Sequence, residues 1–201
     1  MTDNFAHRAA EWDSPEKIKM TETFVAEMLK HVSPQKSWKS LEIGAGTGLV
    51  GMQVLQHVGS MVFEDTSEAM LGILRQKPTY RIPVETILGE IFEYKQQDID
   101  FAFSCMAFHH IPDIDAALKH LYSICNPGAR VVVGDLLTED GSFHRFEPIP
   151  HKGFDLDKLS VQFHNAGFDI IVAQPYSKMK RERTKGVITE YTQFVLVAKR
   201  R

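Results

Sequence analysis

A short apolar stretch runs into a cluster of small residues, Leu41-Glu42-Ile43-Gly44-Ala45-Gly46-Thr47-Gly48. Glycines let a strand reverse into a helix while bare backbone comes close to a ligand, where a side chain would clash or forbid the dihedrals. The helix beyond such a turn presents free N–H groups at its start. Two ligand classes use this device. Gly46-Thr47-Gly48-Leu49-Val50-Gly51 satisfies the GxGxxG pattern of a dinucleotide's pyrophosphate site. Glu42 argues for the other class, because a carboxylate there repels a pyrophosphate and attracts a ligand that carries an ammonium group. Asp65, about twenty residues on at the end of a second apolar run, suits both classes, since a carboxylate in that place takes ribose hydroxyls.

Histidines form the second group. His109 and His110 follow the apolar run Ile99 to Cys105, at what would be the carboxyl edge of a sheet. Either is a candidate general base, with an ordinary imidazole titrating near neutrality. The bland alternative is that they cap the turn before Pro112. His144 and His151 lie further on and add to a metal set on paper. No spacing of the HxxxH type occurs, so no metal ligand set is expected, and these histidines are read as lining a substrate pocket or facing water. Trp12, Phe143 and Phe146 are candidates for an apolar substrate wall or plain core. Cys105 reads as a packing residue, and Asp135 as substrate-facing or a cap.

The elements that must position these residues alternate in type. Ser14-Pro15 opens a helix carrying Ile18, Thr21, Phe24, Val25, Met28 and Leu29. Strands are expected at Leu41–Ile43, Met61–Phe63, Val84–Leu88, Ile99–Cys105 and Val131–Val133. Between them, Leu49 to Val58 reads as one helix, Ser67 caps a second, and Pro112 opens a third that Asn126-Pro127-Gly128 stops. Near-continuous apolar strands alternating with amphipathic helices give βαβ units and a parallel sheet covered on both faces. After a helix over 155–166, Phe168–Ala173 and Tyr191–Ala198 follow with only a loop between them, so they should pair antiparallel. That ending departs from the second βαβαβ half of a dinucleotide fold.

The chain has 201 residues, enough for one domain with one real core. A net charge of −3 supplies no basic field for a nucleic-acid partner. The basic cluster Lys178–Lys185 reads as a solvated loop or hairpin. Two cysteines, Cys105 and Cys125, make no disulfide framework and fit a reducing cytoplasm. The N-terminal stretch carries no apolar signal core and no run reaches membrane-spanning length, so no membrane partner is expected.

Taken in order, these motifs resemble the class I S-adenosylmethionine-dependent methyltransferases, in the branch that includes the quinone-biosynthesis methyltransferases. Glu42 to Gly48 is similar to motif I, Asp65 to Leu71 to the segment after the second strand, and Gly89-Glu90-Ile91 to the segment after the third. Phe103 to Ile111 resembles motif IV, and Phe163 to Phe168 the approach to the sixth strand. The resemblance covers roughly residues 38–198. Glu90 stands where many relatives have Asp, and Ala129 replaces the second glycine of a Pro-Gly-Gly turn.

The resemblance implies a Rossmann-like, seven-stranded, mostly parallel sheet with helices on both faces and an antiparallel C-terminal strand. It implies S-adenosylmethionine as cofactor, S-adenosylhomocysteine as product and a small-molecule methyl acceptor. Glu42, Gly44, Ala45 and Gly46 would hold the methionine end and Asp65 the ribose. Thr66, Met70, Gly89, Glu90 and Ile91 would border adenine, and Cys105 and Met106 would pass beneath the methyl group. Residues 1–31 are expected as a lid and helix, 38–136 as the cofactor core, and 137–201 as the substrate-side connection and hairpin. The lid proper is Phe5 to Asp13. A monomer or homodimer is expected. An NAD-type oxidoreductase and a non-catalytic S-adenosylmethionine-binding module remain the competing readings.

Overall fold

A computed structural model describes residues 6–146 and 148–201 of the chain. Phe5, at the start of the expected lid, lies outside the described residues. Ser14 caps α1 (Pro15–His31), accepting from the Lys17 N–H at 3.4 Å, while Pro15 occupies the first turn, where no donor is needed. Seven strands follow: β1 (Lys39–Ile43), β2 (Ser60–Asp65), β3 (Val84–Leu88), β4 (Ile99–Cys105), β5 (Cys125–Leu136), β6 (Phe168–Thr184) and β7 (Val187–Arg200). They form one sheet in the order β3-β2-β1-β4-β5-β7-β6, with β7 antiparallel to both of its neighbours and the other pairs parallel. This is the expected architecture. No helix among the described residues is long and apolar enough to cross a membrane.

Alternation along the strands divides the interior into two cores. Leu41, Ile43, Ala102, Val131, Val133, Phe194 and Leu196 pack on the face covered by α4 (Ile114–Ile124) and α5 (Leu156–Asn165). Phe63, Phe101, Phe103, Val132, Val195 and Val197 pack on the other face, beneath α1 and α3 (Glu68–Leu74), with Phe24, Met28 and Leu71 fully buried between the layers. The strand order reverses between β1 and β4, and the carboxyl ends of these two strands flank the crevice where open α/β sheets take ligands.

Four details differ from the sequence reading. The helix expected over Leu49–Val58 is reduced to α2 (Gly51–Val54) and a 3₁₀ turn, Leu55–His57. Gly48 takes a left-handed φ of 79°, outside any right-handed helix, and Val58 is already extended, which lets Gly59 donate to the Trp38 carbonyl at 2.9 Å. Asp113, rather than Pro112, begins α4, accepting from the Ala116 N–H at 2.9 Å. Asn126-Pro127-Gly128 does not separate helix from strand. Cys125 already pairs with Ile99 and Arg130 with Phe101, so the intervening residues bulge. Finally, β6 and β7 extend well past the expected runs, and Lys178 to Lys185 forms the end of this hairpin.

Candidate functional site

The small-residue turn leaves β1 through Gly44 (φ 65°) and Gly46 (φ 54°), both left-handed. A Cβ at Gly44 would overlap the Cβ of Ala107, in the loop after β4. The turn is tied down from β2. The Ala45 N–H donates to the Glu64 carbonyl at 2.8 Å. The two Asp65 carboxylate oxygens accept from Gly46 N–H at 2.6 Å and Ser67 N–H at 2.8 Å, and the Asp65 carbonyl accepts from Gly89 N–H at 3.0 Å. One residue therefore joins the turns after β1, β2 and β3. Ser67 in turn caps α3 through the Met70 N–H at 3.2 Å. Met70 and Ile91 are buried beside this junction, whereas Thr66 and Glu90 are exposed at its rim.

Glu42 is turned inward. Its Oε2 accepts from Gly51 N–H at 3.0 Å, and a Cβ on Gly51 would strike that oxygen and the Phe63 ring. Burial pushes the Glu42 carboxyl well above its usual range, against the pull of the Gly51 N–H and with a further push from Asp65. The charge argument against a pyrophosphate is therefore weaker in the folded protein than in the sequence. The argument from the antiparallel last strand is unaffected.

The N-terminal segment sits over the turn. Trp12 Nε1 would lie 3.6 Å from a Cβ on Gly46, and Lys17 Nζ stands 3.2 Å from the centre of the Trp12 ring. Asp13 accepts from the Thr47 hydroxyl with one oxygen and pairs with Lys77 Nζ at 2.7 Å with the other. The sequence placed Asp13 only at the end of the expected lid and did not single out Lys77, because their contact joins segments remote in the chain.

Across the crevice, Met106 takes a φ of 57°, unusual for a residue with a side chain, and donates its N–H to the Gly134 carbonyl at 2.8 Å. Cys105 is partly buried. Its surroundings, with Asp135 and Glu42, push its thiol well up, so it stays protonated and unreactive. His109 and His110 lie in the 3₁₀ turn Phe108–His110. Asp135, fully buried at the end of β5, engages His109 twice: its Oδ2 accepts from the backbone N–H at 3.0 Å, and its Oδ1 lies 2.7 Å from Nδ1. This orientation makes Nδ1 the protonated nitrogen and turns the Nε2 lone pair toward His144.

His144 completes the group. It ends the 3₁₀ turn Ser142–His144, where Ser142 Oγ meets the Tyr191 hydroxyl at 2.6 Å and Phe143 packs edge-on against the Tyr191 ring. Its Nε2 lies 3.0 Å from His109 Nε2. The His110 ring centre is 4.2 Å from that of His109 and 5.3 Å from that of His144. Burial and the two neighbouring imidazoles lower the His110 pKa to about 4, so it is neutral near pH 7. His151 stays outside the cluster, donating to the Ile111 carbonyl at 3.0 Å, and Phe146 is 67% exposed. The structure thus gathers the expected residues into a glycine-turn group and a histidine group on either side of the Gly44–Ala107 contact.

Comparison with known proteins agrees with this geometry. Residues 41–131 match the family described as a methyltransferase domain. An O-methyltransferase of Pyrenophora dematioidea is 26% identical over 183 residues, covering 80% of this chain and 67% of its own length. The chain spans about half the length of several other curated methyltransferases it matches. Among solved structures, one from a complex between the Haloferax volcanii Trm112 methyltransferase activator and a methyltransferase superposes with a TM-score of 0.81 at 13% identity, covering 99% of this chain and 98% of that one. Phosphoethanolamine N-methyltransferase 2 of Haemonchus contortus, solved with S-adenosyl-L-methionine, gives a TM-score of 0.70 at 16% identity and covers 89% and 52%. At these identities the two structures carry a likeness of fold.

Proposed function

We propose that the chain is a class I S-adenosylmethionine-dependent methyltransferase, and that it transfers the methyl group of S-adenosylmethionine to a small-molecule acceptor and releases S-adenosylhomocysteine. The observation that carries this reading is the junction at Asp65, which holds the glycine turn, the cap of α3 and Gly89 around one point at the crevice. A carboxylate at the end of β2, beside the turns after β1 and β3, is placed to take a ribose diol. The donor set therefore fits a nucleoside with an amino-acid tail.

When bound, S-adenosylmethionine supplies a methyl group already activated on a sulfonium centre. The protein's part is to hold, align, exclude water and take a proton. Gly44, Ala45 and Gly46 offer bare backbone to the amino-acid end, and Glu42 supports that backbone from beneath. Met70 and Ile91 provide apolar walls for adenine, with Thr66, Gly89 and Glu90 at its edge. Trp12 covers the turn and keeps water out. Cys105 and Met106 border the space below the methyl group. His109 Nε2 receives the acceptor's proton, and Asp135 is the positioning residue that holds its tautomer. The Pyrenophora relative is an O-methyltransferase, and an oxygen acceptor is a class that needs such a proton taken. Two free cysteines fit a reducing compartment, and we place the protein in the cytoplasm.

Calorimetry tests the reading first. Titration of S-adenosylmethionine and of S-adenosylhomocysteine into cofactor-stripped protein should give one site each, and NADH none. Absence of heat with both sulfur compounds, or binding of NADH alone, would sink it. A panel of small phenols, carboxylic acids and amines then identifies the acceptor. A second reading, a methyltransferase that needs a partner subunit, is favoured by the archaeal neighbour solved with its activator. Full turnover by the purified chain alone would remove it.

A further inference from the structure

We propose that His109, His110 and His144 form a binding site for one divalent first-row transition metal ion of the zinc class. One nitrogen from each of the three rings lies within 4.8 Å of the others. The closest pair, the two Nε2 atoms of His109 and His144, are 3.0 Å apart. A tetrahedral zinc with bonds of about 2.0–2.1 Å separates its nitrogens by about 3.3–3.4 Å, so these rings need to part by only a few tenths of an ångström. The proton shared between the two Nε2 atoms moves to His144 Nδ1 by exchange with water, and both lone pairs then face the ion.

The surroundings are those of a ligand set. Metal-bound histidines characteristically donate their second N–H to a carboxylate that fixes tautomer and orientation. Asp135 does this for His109 from a fully buried position, at 2.7 Å, and locks the backbone of the same residue at 3.0 Å. Its negative charge also offsets part of the charge brought in by a dication. An all-imidazole set selects zinc, copper or nickel over magnesium and calcium, which require oxygen. Three protein ligands leave a fourth position open, as in catalytic rather than structural zinc sites. The turn that carries His109 and His110 follows directly on Met106 and Ala107, and Ala107 abuts Gly44, so the cluster lies next to the glycine turn.

An acceptor hydroxyl at the fourth position would bind the ion through oxygen and lose its proton to solvent more readily than in water. The ion and the acceptor's proton thus compete for the same His109 lone pair. This role for the fourth position rests on the methyl-transfer reading, whereas binding of the ion does not.

The test uses zinc sulfate titrated into untagged, metal-stripped full-length protein without S-adenosylmethionine. One equivalent should bind at micromolar concentration or tighter. Cobalt(II) in its place should give the intense visible bands of a four-coordinate ion. His144→Ala, at the end of the turn Ser142–His144, should abolish the tight site. Asp135→Asn should weaken it about 10–100-fold. His57→Ala, on the exposed 3₁₀ turn after α2, should leave it unchanged. Circular dichroism of each variant checks folding. Zinc heat that is absent in the wild type, or that persists in folded His144→Ala, overturns the site. Calorimetry with S-adenosylhomocysteine on the same preparation fails or succeeds independently, so loss of the metal site and loss of the methyltransferase reading are told apart.

Discussion

Asp135 holds both the backbone and the ring of His109, which makes it the strongest positional constraint in the histidine group. Asp135→Asn keeps the shape but presents an amide where Nδ1 needs an acceptor. The turnover number should fall about 10²–10⁴-fold and the acid limb of the pH–rate profile should move, with KM for S-adenosylmethionine little changed. A loss confined to that KM would refute the positioning role. At Gly51 the constraint is steric. Gly51→Ala drives a methyl into the Glu42 carboxyl and the Phe63 ring without altering a helical φ, and should cost about 1–3 kcal/mol in urea denaturation. At this scale the sequence was informative about residue type and silent about direction. Glu42 and Asp65 stand out as acids at the ends of apolar runs. That Glu42 turns to Gly51 rather than to the crevice was not legible, because both faces of β1 are covered and neither offers a preferred side to a carboxyl. Asp135 was visible as the acid closing Val131-Val132-Val133-Gly134, but its partner lies in the turn after β4, remote in the chain.

Among the elements, Asp13 ties the N-terminal segment to the glycine turn. Its two oxygens reach Thr47 and Lys77 on different elements. Asp13→Ala should release the segment while leaving the sheet intact. Cleavage by protease near Trp12 should then accelerate, affinity for S-adenosylhomocysteine should drop about tenfold, and the thermal midpoint should move by only a few degrees. Unchanged cleavage would show that Trp12 and Lys17 suffice to hold it. Element type was readable throughout from periodicity and caps, and the bounds of β3 and β4 match the expected ones. The misplaced element was α2, which depends on a left-handed Gly48 and on packing at Gly59 that no pattern of apolar residues reports. The hairpin was underestimated because β6 and β7 beyond Ala173 carry charged residues. Cross-strand pairs such as Lys178 with Glu190, at 2.9 Å, accompany the ladder into solvent, where each contributes little.

For the molecule as a whole, the buried acids beneath the turn make stability depend on pH. Glu64 is 3% exposed on β2, and burial, then the neighbouring Asp65, push its carboxyl up to about 8 against a pull from the Gly44 N–H. The folded protein therefore keeps a proton that the unfolded chain releases near 4.5. Its contribution is fully present below that lower value and is lost as pH rises through about 8. Stability should decline between pH 5 and pH 8.5 by about 1–3 kcal/mol, and Glu64→Gln should flatten this slope and raise the midpoint at the alkaline end. Parallel pH curves for the two proteins would contradict the assignment. The mostly parallel sheet followed from alternation of strands and helices, which is a property of the whole chain. The meeting of His144 with His109 did not, since it depends on how two loops fold back over one edge.

On the methyl-transfer reading, the close contact between Gly44 and Ala107 sets the donor side and the acceptor side back to back, with no room for a Cβ at Gly44. A bulkier residue at 107 cannot enlarge or reshape the acceptor side without displacing the bend that receives the amino-acid tail. Altering the range of accepted compounds by substitution at this point would therefore be felt as weaker hold on the methyl donor. On the methyl-transfer reading, acceptor choice should instead be open to change at the turn Ser142–His144, which meets His109.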